Sequence, residues 1–139
     1  MNNQKNNKII KNLENTFCRL KKSDIEGVGI FAIKDIPAGT NPFLGVNKQK
    51  WHKVSDKELK NLDKEIQKMV SDFFCADKRG NFLIPECGLN GIDISFFLNT
   101  SKNPNVTTKD GIIFRTIKNI KKGQELTVSY ANYDERYKK

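Results

Sequence analysis

The hydrophobic positions of this chain are spaced mainly for short β-strands. Apolar and β-branched residues gather in short runs separated by Gly, Pro, Asn and Asp, a pattern typical of strands joined by turns. The predicted strands cover residues 17–20, 28–33, 40–46, 82–84, 106–109, 112–117 and 126–130. The pair Asp110-Gly111 predicts a hairpin with a tight type I′ turn. Together these patterns indicate a mostly β (α+β) fold.

One stretch changes to a helical period. Ser55 and Glu58 have the spacing of a capping box, which marks a helix N-terminus. Apolar residues then follow in steps of three and four, at positions 59, 62, 66, 69, 70 and 73. The pattern predicts one amphipathic helix over residues 55–74, with its apolar stripe packed on the core.

Length and composition suit one domain. The chain has 139 residues, of which 37% are hydrophobic and 29% charged, ordinary values for a globular protein. We predict a flexible N-terminal arm over residues 1–15, a folded domain over 16–133 and a short tail over 134–139. No apolar run has the length of a membrane span or of a signal peptide, so we expect no membrane association.

The chain carries a net charge of +9, which attracts nucleic acids and acidic proteins. The excess also has a compositional explanation, because Lys outnumbers Arg by 21 to 4 and there are 16 Asn residues, as AT-rich coding sequences produce. The lysines are spread evenly and form no block. Specific nucleic-acid binding is therefore not expected.

Cysteine and histidine are too sparse for a metal site. Cys18, Cys75 and Cys87 lie far apart, and His52 is the single histidine, whereas structural zinc needs about four such ligands at short spacings. We expect no metal and no disulfide framework. The thiols indicate a reducing intracellular compartment.

Three motifs carry the functional signal. The first is SDIEGVGIFA over residues 23–32, followed by the turn DIPAGT over 35–40. The second is the polar run LNTSKNPNV over residues 98–106, and the third is QELTVSY over residues 124–130. In order and spacing they resemble the SET domain of protein lysine methyltransferases, whose motifs are GxG with Phe-Ala, Asn-His-Ser-x-x-Pro-Asn and Glu-Leu-Thr-x-Asp-Tyr. The resemblance covers roughly residues 17–133.

The resemblance implies a fold and an activity. The fold is a SET-type β-clip of several small curled sheets, with one main amphipathic helix and a C-terminal pseudoknot that threads the Asn99 region beneath a C-terminal loop. The activity is transfer of methyl groups from S-adenosylmethionine to the side-chain amine of lysine in a protein substrate, with histone as one candidate. Such an enzyme works in the cytoplasm, or in the nucleus if it acts on chromatin.

The resemblance also assigns roles to residues. Tyr130 takes the catalytic position, where a phenol hydroxyl orients the lysine nitrogen for in-line displacement. Phe43 and Tyr133 are candidates for the substrate channel, and Tyr137 is an alternative to Tyr133 for covering the channel or the adenine. The implied cofactor-binding residues are Glu26, Gly27, Val28, Gly29, Asn99, Thr100 and Tyr130.

Several positions depart from the family pattern. Thr100 stands where the family usually has His, Ser129 where it often has Asp, and Phe43 near a position where a channel Tyr is frequent. These differences support a second hypothesis, a catalytically inactive SET-fold module that binds a peptide or an acidic partner. The short tail predicts an incomplete channel lid, which a partner subunit of a homodimer closes.

Overall fold

A computed structural model describes residues 3–45 and 49–138 of the protein. Its helices are α1 (Asn3–Glu14), α2 (Asp56–Leu59) and α3 (Lys64–Phe73). Its strands are β1 (Cys18–Lys22), β2 (Val28–Ala32), β3 (Trp51–Ser55), β4 (Asn81–Pro85), β5 (Asn99–Thr100), β6 (Val106–Thr108), β7 (Phe114–Thr116) and β8 (Glu125–Val128). Many short strands and few helices confirm the mostly β prediction.

The main sheet has the strand order β1-β2-β8-β5. β2 pairs antiparallel with β1 and with β8, whereas β5 runs parallel to β8. One face of the sheet forms the first core, where Ile30, Leu126 and Val128 are 0% exposed. The β5–β8 pairing places the polar run after Leu98 beside the last strand, which is the neighbourhood that the expected pseudoknot requires.

The polar run is fastened to β8 by its own side chains. Asn105 Oδ1 accepts a hydrogen bond from the Thr127 amide at 2.8 Å, and Asn105 Nδ2 donates to the Glu125 carbonyl at 2.9 Å. The Asn105 side chain therefore pairs with backbone groups of β8 as a neighbouring strand does. This role explains why an Asn-rich stretch directly follows a buried apolar one.

Residues 49–97 form an insert with a second core. β3 and β4 make a two-stranded antiparallel sheet, and α2 and α3 cover it. The buried apolar residues of this core are Leu59, Val70, Phe74, Ala76 and Phe82.

The single long helix predicted over residues 55–74 is wrong, because the chain breaks after α2. Asp63 adopts an extended ψ of 141° and accepts a hydrogen bond from the Glu65 amide at 2.8 Å, so it caps a second helix. The predicted capping box is present, with Ser55 Oγ accepting from the Glu58 amide at 3.2 Å. The predicted burial of the apolar stripe is only partly correct, since Ile66 stays 39% exposed.

Two further local predictions are wrong. No strand covers residues 40–45, and residues 42–45 form turns, because Pro42 cannot donate to a ladder and Gly45 has a left-handed φ of 92°. Position 46 lies outside the described residues. The β6–β7 connection is a five-residue loop. A type I′ turn needs positive φ at both central residues, and Asp110 instead accepts from the amides that follow it.

The flexible N-terminal arm predicted over residues 1–15 contains the helix α1, and residues 1 and 2 lie outside the described residues. Its residues 4–14 are exposed, and Lys34 Nζ donates to the Glu14 carbonyl at its C-terminal end at 2.7 Å. A cation at that position satisfies a terminal carbonyl and complements the helix dipole.

The tail joins the main sheet to the insert. Asp134 is 4% exposed, and its carboxylate pairs with the Arg136 guanidinium at 2.7 Å. Arg136 also donates to the Phe74 carbonyl and to Ser71 Oγ of α3. Its guanidinium stacks over the Phe82 ring at 5.2 Å. The tail thus closes over the second core.

We expect Arg136→Ala to destabilise the protein by about 2–4 kcal/mol, because it leaves the buried Asp134 carboxylate without its partner. Arg136→Lys keeps the charge but loses the forked geometry, and its loss should be intermediate. The matched control is Lys138→Ala, which removes only an exposed ion pair with Glu135 and should change stability by less than about 1 kcal/mol. Denaturant unfolding measures all three, and equal losses for Arg136→Ala and Lys138→Ala would contradict the assignment.

Candidate active site

A narrow aromatic cleft lies between the two cores. The rings of Trp51, Phe73, Phe96, Tyr130 and Tyr133 contribute to its walls, and its cavity volume is about 60 Å³. The remaining lining residues include Asp72, Cys75, Asp93, Leu98, Phe114, Asp134, Arg136 and Tyr137. Each of the three tyrosines predicted from the sequence therefore lines this cleft.

Tyr130 joins the cleft to the polar run. Its hydroxyl donates to the Leu98 carbonyl at 2.5 Å, and its amide donates to Thr100 Oγ1 at 3.1 Å. The Tyr130 ring packs edge to face against Tyr133 and Tyr137, with centroids 6.1 and 5.2 Å away. Both ends of this residue are consequently held by the two residues that flank Asn99.

Burial raises the pKa of the Tyr130 hydroxyl to about 12, with smaller contributions from Tyr137 and Glu26. Burial also raises the pKa of Tyr133 far above its ordinary value. Tyr130 is therefore a neutral phenol at physiological pH. It can donate a hydrogen bond and accept one, but it holds its proton too tightly to serve as a base.

A cluster of three side chains, which we call the polar cluster, fixes the turn before β2. Asn99 Nδ2 lies 3.1 Å from Ser23 Oγ and 2.9 Å from Glu125 Oε2. Ser23 Oγ donates to the Glu125 carboxylate at 2.8 Å and accepts from the Ile25 amide at 2.9 Å. The cluster thereby ties the first motif to the second and the third.

Gly27 and Gly29 of the first motif are required for different structural reasons. Gly27 has φ of +49° and open space around it, so a left-handed turn requires it. Gly29 has an ordinary φ but no room for a side chain. An added Cβ would lie 2.8 Å from Glu125 Cδ and 3.1 Å from Asn99 Nδ2. The polar cluster thus occupies the space that Gly29 leaves.

The predicted site residues fall into two adjoining groups. Glu26, Gly27, Val28 and Thr100 present exposed groups around the polar cluster, outside the cleft lining. Asn99 is 9% exposed, and its amide nitrogen also contacts the Glu26 carbonyl at 3.1 Å. The second group is formed by the cleft tyrosines. The two groups meet along residues 98–100.

Phe43 is not where the sequence predicted it. The ring is 4% exposed and packs edge to face on Phe114 at 5.8 Å in the first core. Phe114 lines the cleft and Phe43 does not. The turns over residues 42–45 place the ring in the first core.

Sequence reasoning missed the residues that position the others. Ser23 and Glu125 stood inside the recognised motifs but received no role. The Asp134-x-Arg136 spacing in the tail gave no signal, because the partners of Arg136 lie on α3 and at Phe74. Among the described residues, no three His, Cys, Asp or Glu side chains form a group suited to a metal, and no helix there is long and apolar enough to cross a membrane.

Comparisons with known proteins agree with this geometry. The family model of the SET domain matches residues 27–131. No curated protein sequence matches the chain significantly. Because the family match covers well over half of the sequence, the chain belongs to the SET domain family.

Solved structures show the same fold. A Plasmodium falciparum protein, provisionally described as a histone methyltransferase, superposes with a TM-score of 0.53 at 16% identity, covering 83% of this chain and 93% of its own. The second structure is a humanized mutant of the Chaetomium thermophilum Polycomb Repressive Complex 2 bound to an inhibitor. It superposes with a TM-score of 0.57 at 24% sequence identity, and the match covers 85% of this chain and 15% of that chain. An autoinhibited ctPRC2 bound to S-adenosylmethionine superposes with a TM-score of 0.57 at 25% sequence identity. The match covers 85% of this chain and 16% of that chain. The chain spans about a sixth of the PRC2 chains that it resembles.

We expect Gly29→Ala to destabilise the protein by about 1–3 kcal/mol, because the new methyl group displaces Glu125 and Asn99. In a Glu125→Ala background the same change should be milder, and the two should couple by more than about 1 kcal/mol. Gly39→Ala is the control, since that residue has φ of +83° and open space, so its strain should be independent of Glu125. Unfolding free energies test the cycle, and additive losses at Gly29 and Glu125 would refute the contact.

Proposed function

We propose that this protein is an S-adenosylmethionine-dependent protein lysine methyltransferase in which Tyr130 is the catalytic residue. One observation supports the assignment above the others. The Tyr130 hydroxyl lies in an aromatic cleft, yet it bonds the Leu98 carbonyl directly beside Asn99 and Thr100. The cleft suited to a slender side chain and the motif residues suited to a cofactor therefore adjoin at a single phenol.

The residues around the polar cluster fit the cofactor. S-adenosylmethionine carries an ammonium, a carboxylate and an adenine, and it supplies the methyl group on a sulfonium centre. Glu26 offers an exposed carboxylate for the ammonium, and the open turn at Gly27 lets backbone groups approach a ligand. Thr100 is exposed beside the cluster and offers backbone groups for the adenine. The Asn99 amide nitrogen is already used internally and its backbone pairs with β8, so its side-chain carbonyl oxygen remains for the ligand.

The cleft suits a lysine side chain. Its walls are aromatic rings, which accommodate an aliphatic stem, and burial among them disfavours an ammonium over a neutral amine. A neutral amine is the form that attacks a methyl carbon. Tyr130 then orients the nitrogen through its hydroxyl, while Tyr133 and Tyr137 hold the ring of Tyr130 in place. Methyl transfer is thus promoted by positioning and desolvation of the amine, and the Tyr130 phenol stays protonated throughout.

The substrate in this proposal is a protein lysine, with histone tails as the first candidates because histone methyltransferases are among the structural neighbours. The proposal also includes a reducing intracellular compartment, since Cys18, Cys75 and Cys87 are free thiols. The homodimer expected from the sequence stays a prediction.

Tyr130→Phe removes one oxygen and should lower kcat for methyl transfer by at least about 10²-fold, because the nitrogen loses its orienting partner. Labelled S-adenosylmethionine with a mixed protein extract or histones gives the readout. Tyr137→Phe is the matched control, since it removes the same atom from another cleft tyrosine that packs on Tyr130, and its rate should change by less than about threefold. Equal labelling by the native protein and Tyr130→Phe would remove Tyr130 from its role.

A calorimetric titration with S-adenosylmethionine separates the enzyme from the inactive binding module. The enzyme binds the cofactor, and Tyr130→Phe should retain most of that binding because its backbone contacts persist. Absence of binding by the native chain would favour the module that recognises a peptide or an acidic partner.

The Tyr130 hydroxyl should titrate near pH 12, about two units above an unfolded tyrosine. A raised pKa favours the protonated fold, so this contribution to stability is fully present below pH 10 and is lost as the pH rises towards 12. The difference in phenolate absorbance between the native protein and Tyr130→Phe isolates this group. A difference titration centred near pH 10 would contradict the burial of the hydroxyl.

A further inference from the structure

The positive charge of the protein is segregated in space although its lysines are even in sequence. Residues 3–45 and 98–128, which build the main sheet and its attached turns, hold thirteen Lys and Arg against six Asp and Glu. The insert over residues 49–97 holds eight of each. The density of cations is similar in the two parts, so the asymmetry comes from missing carboxylates. A general lysine bias in composition would raise the number of cations in both parts and would not lower the number of carboxylates in one of them.

Ion pairing follows the same division. The five ion pairs found among the described residues all lie within the insert or the tail. In the described part of the main sheet unit, no cation reaches a carboxylate. Of the carboxylates there, Glu125 is engaged in the polar cluster, Asp35 accepts from the Lys122 amide and Asp110 holds its own loop. The positive charge of the described sheet unit is thus not neutralised by ion pairs within the protein.

Four of these lysines lie on two adjoining turns, a surface that we call the basic end: Lys34, Lys118, Lys121 and Lys122. The backbones of Ile36 and Ile120 exchange two hydrogen bonds, at 2.7 and 2.8 Å, and the Gly123 amide donates to the Ala32 carbonyl at 2.8 Å. These bonds keep the two turns side by side, and all four lysines are exposed.

The basic end lies away from the candidate active site. Its lysines precede β8, whereas Tyr130 follows β8, so the two surfaces sit at opposite ends of one strand. A partner bound to the basic end therefore leaves the cleft free. The exposed helix α1 extends this surface, because Lys34 binds its C-terminal carbonyl and its own lysines recur at positions 5, 8 and 11. Twelve residues of helix reach about 18 Å.

We infer that the basic end and α1 bind the phosphate backbone of double-stranded nucleic acid without reading its sequence. An extended row of unpaired lysines on fixed backbone complements a regular polyanion. The neighbouring rings do not favour stacking with single-stranded bases, because Lys21 covers Phe31 and Lys34 covers Phe17 at 5.3 and 4.9 Å. The described main sheet unit exposes no aromatic side chain, but α1 exposes the apolar residues Ile9, Ile10 and Leu13, so anionic vesicles are the competing ligand that the test includes. This inference does not depend on the proposed enzymatic activity.

The test is fluorescence anisotropy of a labelled duplex of arbitrary sequence, about 20 base pairs long, over a range of salt concentrations. If the four lysines of the basic end and the three of α1 each neutralise a phosphate, log K should fall with log salt with a slope of about −6. The variant with Lys118, Lys121 and Lys122 all changed to Gln should bind more weakly and show a slope shallower by about 2 to 3. Changing the same three lysines to Arg should preserve binding.

The matched control changes Lys57, Lys60 and Lys64 to Gln, which removes the same charge from exposed positions of the insert. Its affinity and slope should equal those of the native protein. Circular dichroism and thermal melting verify that every variant is folded. Equal losses in the two triple variants, or no salt-dependent duplex binding by the native protein, would overturn the inference. Tighter binding to poly-glutamate or to anionic phosphatidylserine vesicles than to the duplex, at equal salt, would overturn it as well.

Discussion

The buried hydrogen bonds among Ser23, Asn99 and Glu125 are the constraint on which the candidate site depends. The three residues are separated by 26 to 102 positions in sequence, and each belongs to a different motif. Ser23 and Asn99 are at most 9% exposed, and a buried polar group left without a partner costs about 1–3 kcal/mol. The three segments are therefore held together, because each satisfies the polar atoms of the others. Gly29 has no side chain, and the Glu125 and Asn99 side chains occupy the space that a Cβ would fill.

The rest of the site follows from where this cluster sits. Fixing Asn99 beside β8 fixes its two neighbours, and those neighbours hold the hydroxyl and the amide of Tyr130. The other wall of the cleft belongs to the insert, which has a separate core. Arg136 spans from the buried Asp134 to α3 and the Phe74 carbonyl, so the tail sets how the insert meets the sheet. The polar cluster thus orders the part of the candidate site around residues 98–100, and the Asp134–Arg136 pair orders the aromatic cleft.

The sequence predicted the family, three of the four strands of the main sheet and the tyrosines of the cleft, because motif order and local periodicity carry that information. It missed β5, which is only two residues long and lies in a polar run. The sequence-based predictions were wrong where tertiary contacts determine the local structure. Asp63 interrupts a continuous helical pattern because its side chain caps the next turn. Phe43 has a channel-like position in sequence, yet turns bury it against Phe114. The roles of Ser23 and Arg136 depend on partners more than sixty residues away in the sequence, and a local sequence pattern does not predict such contacts. The segregation of charge was equally hidden, since it appears only when the insert is separated from the sheet.

The central claim is that the polar cluster and Tyr130 form one site for a sulfonium cofactor. Backbone amide spectra recorded during a titration with S-adenosylmethionine test it most directly, because each residue reports separately. The account predicts that the amide signals of Gly27, Gly29, Thr100 and Tyr130 shift together along one saturable curve, while those of α1 stay in place. Signals that shift only in the insert, or a Tyr130 amide that remains unmoved while the glycines respond, would contradict it.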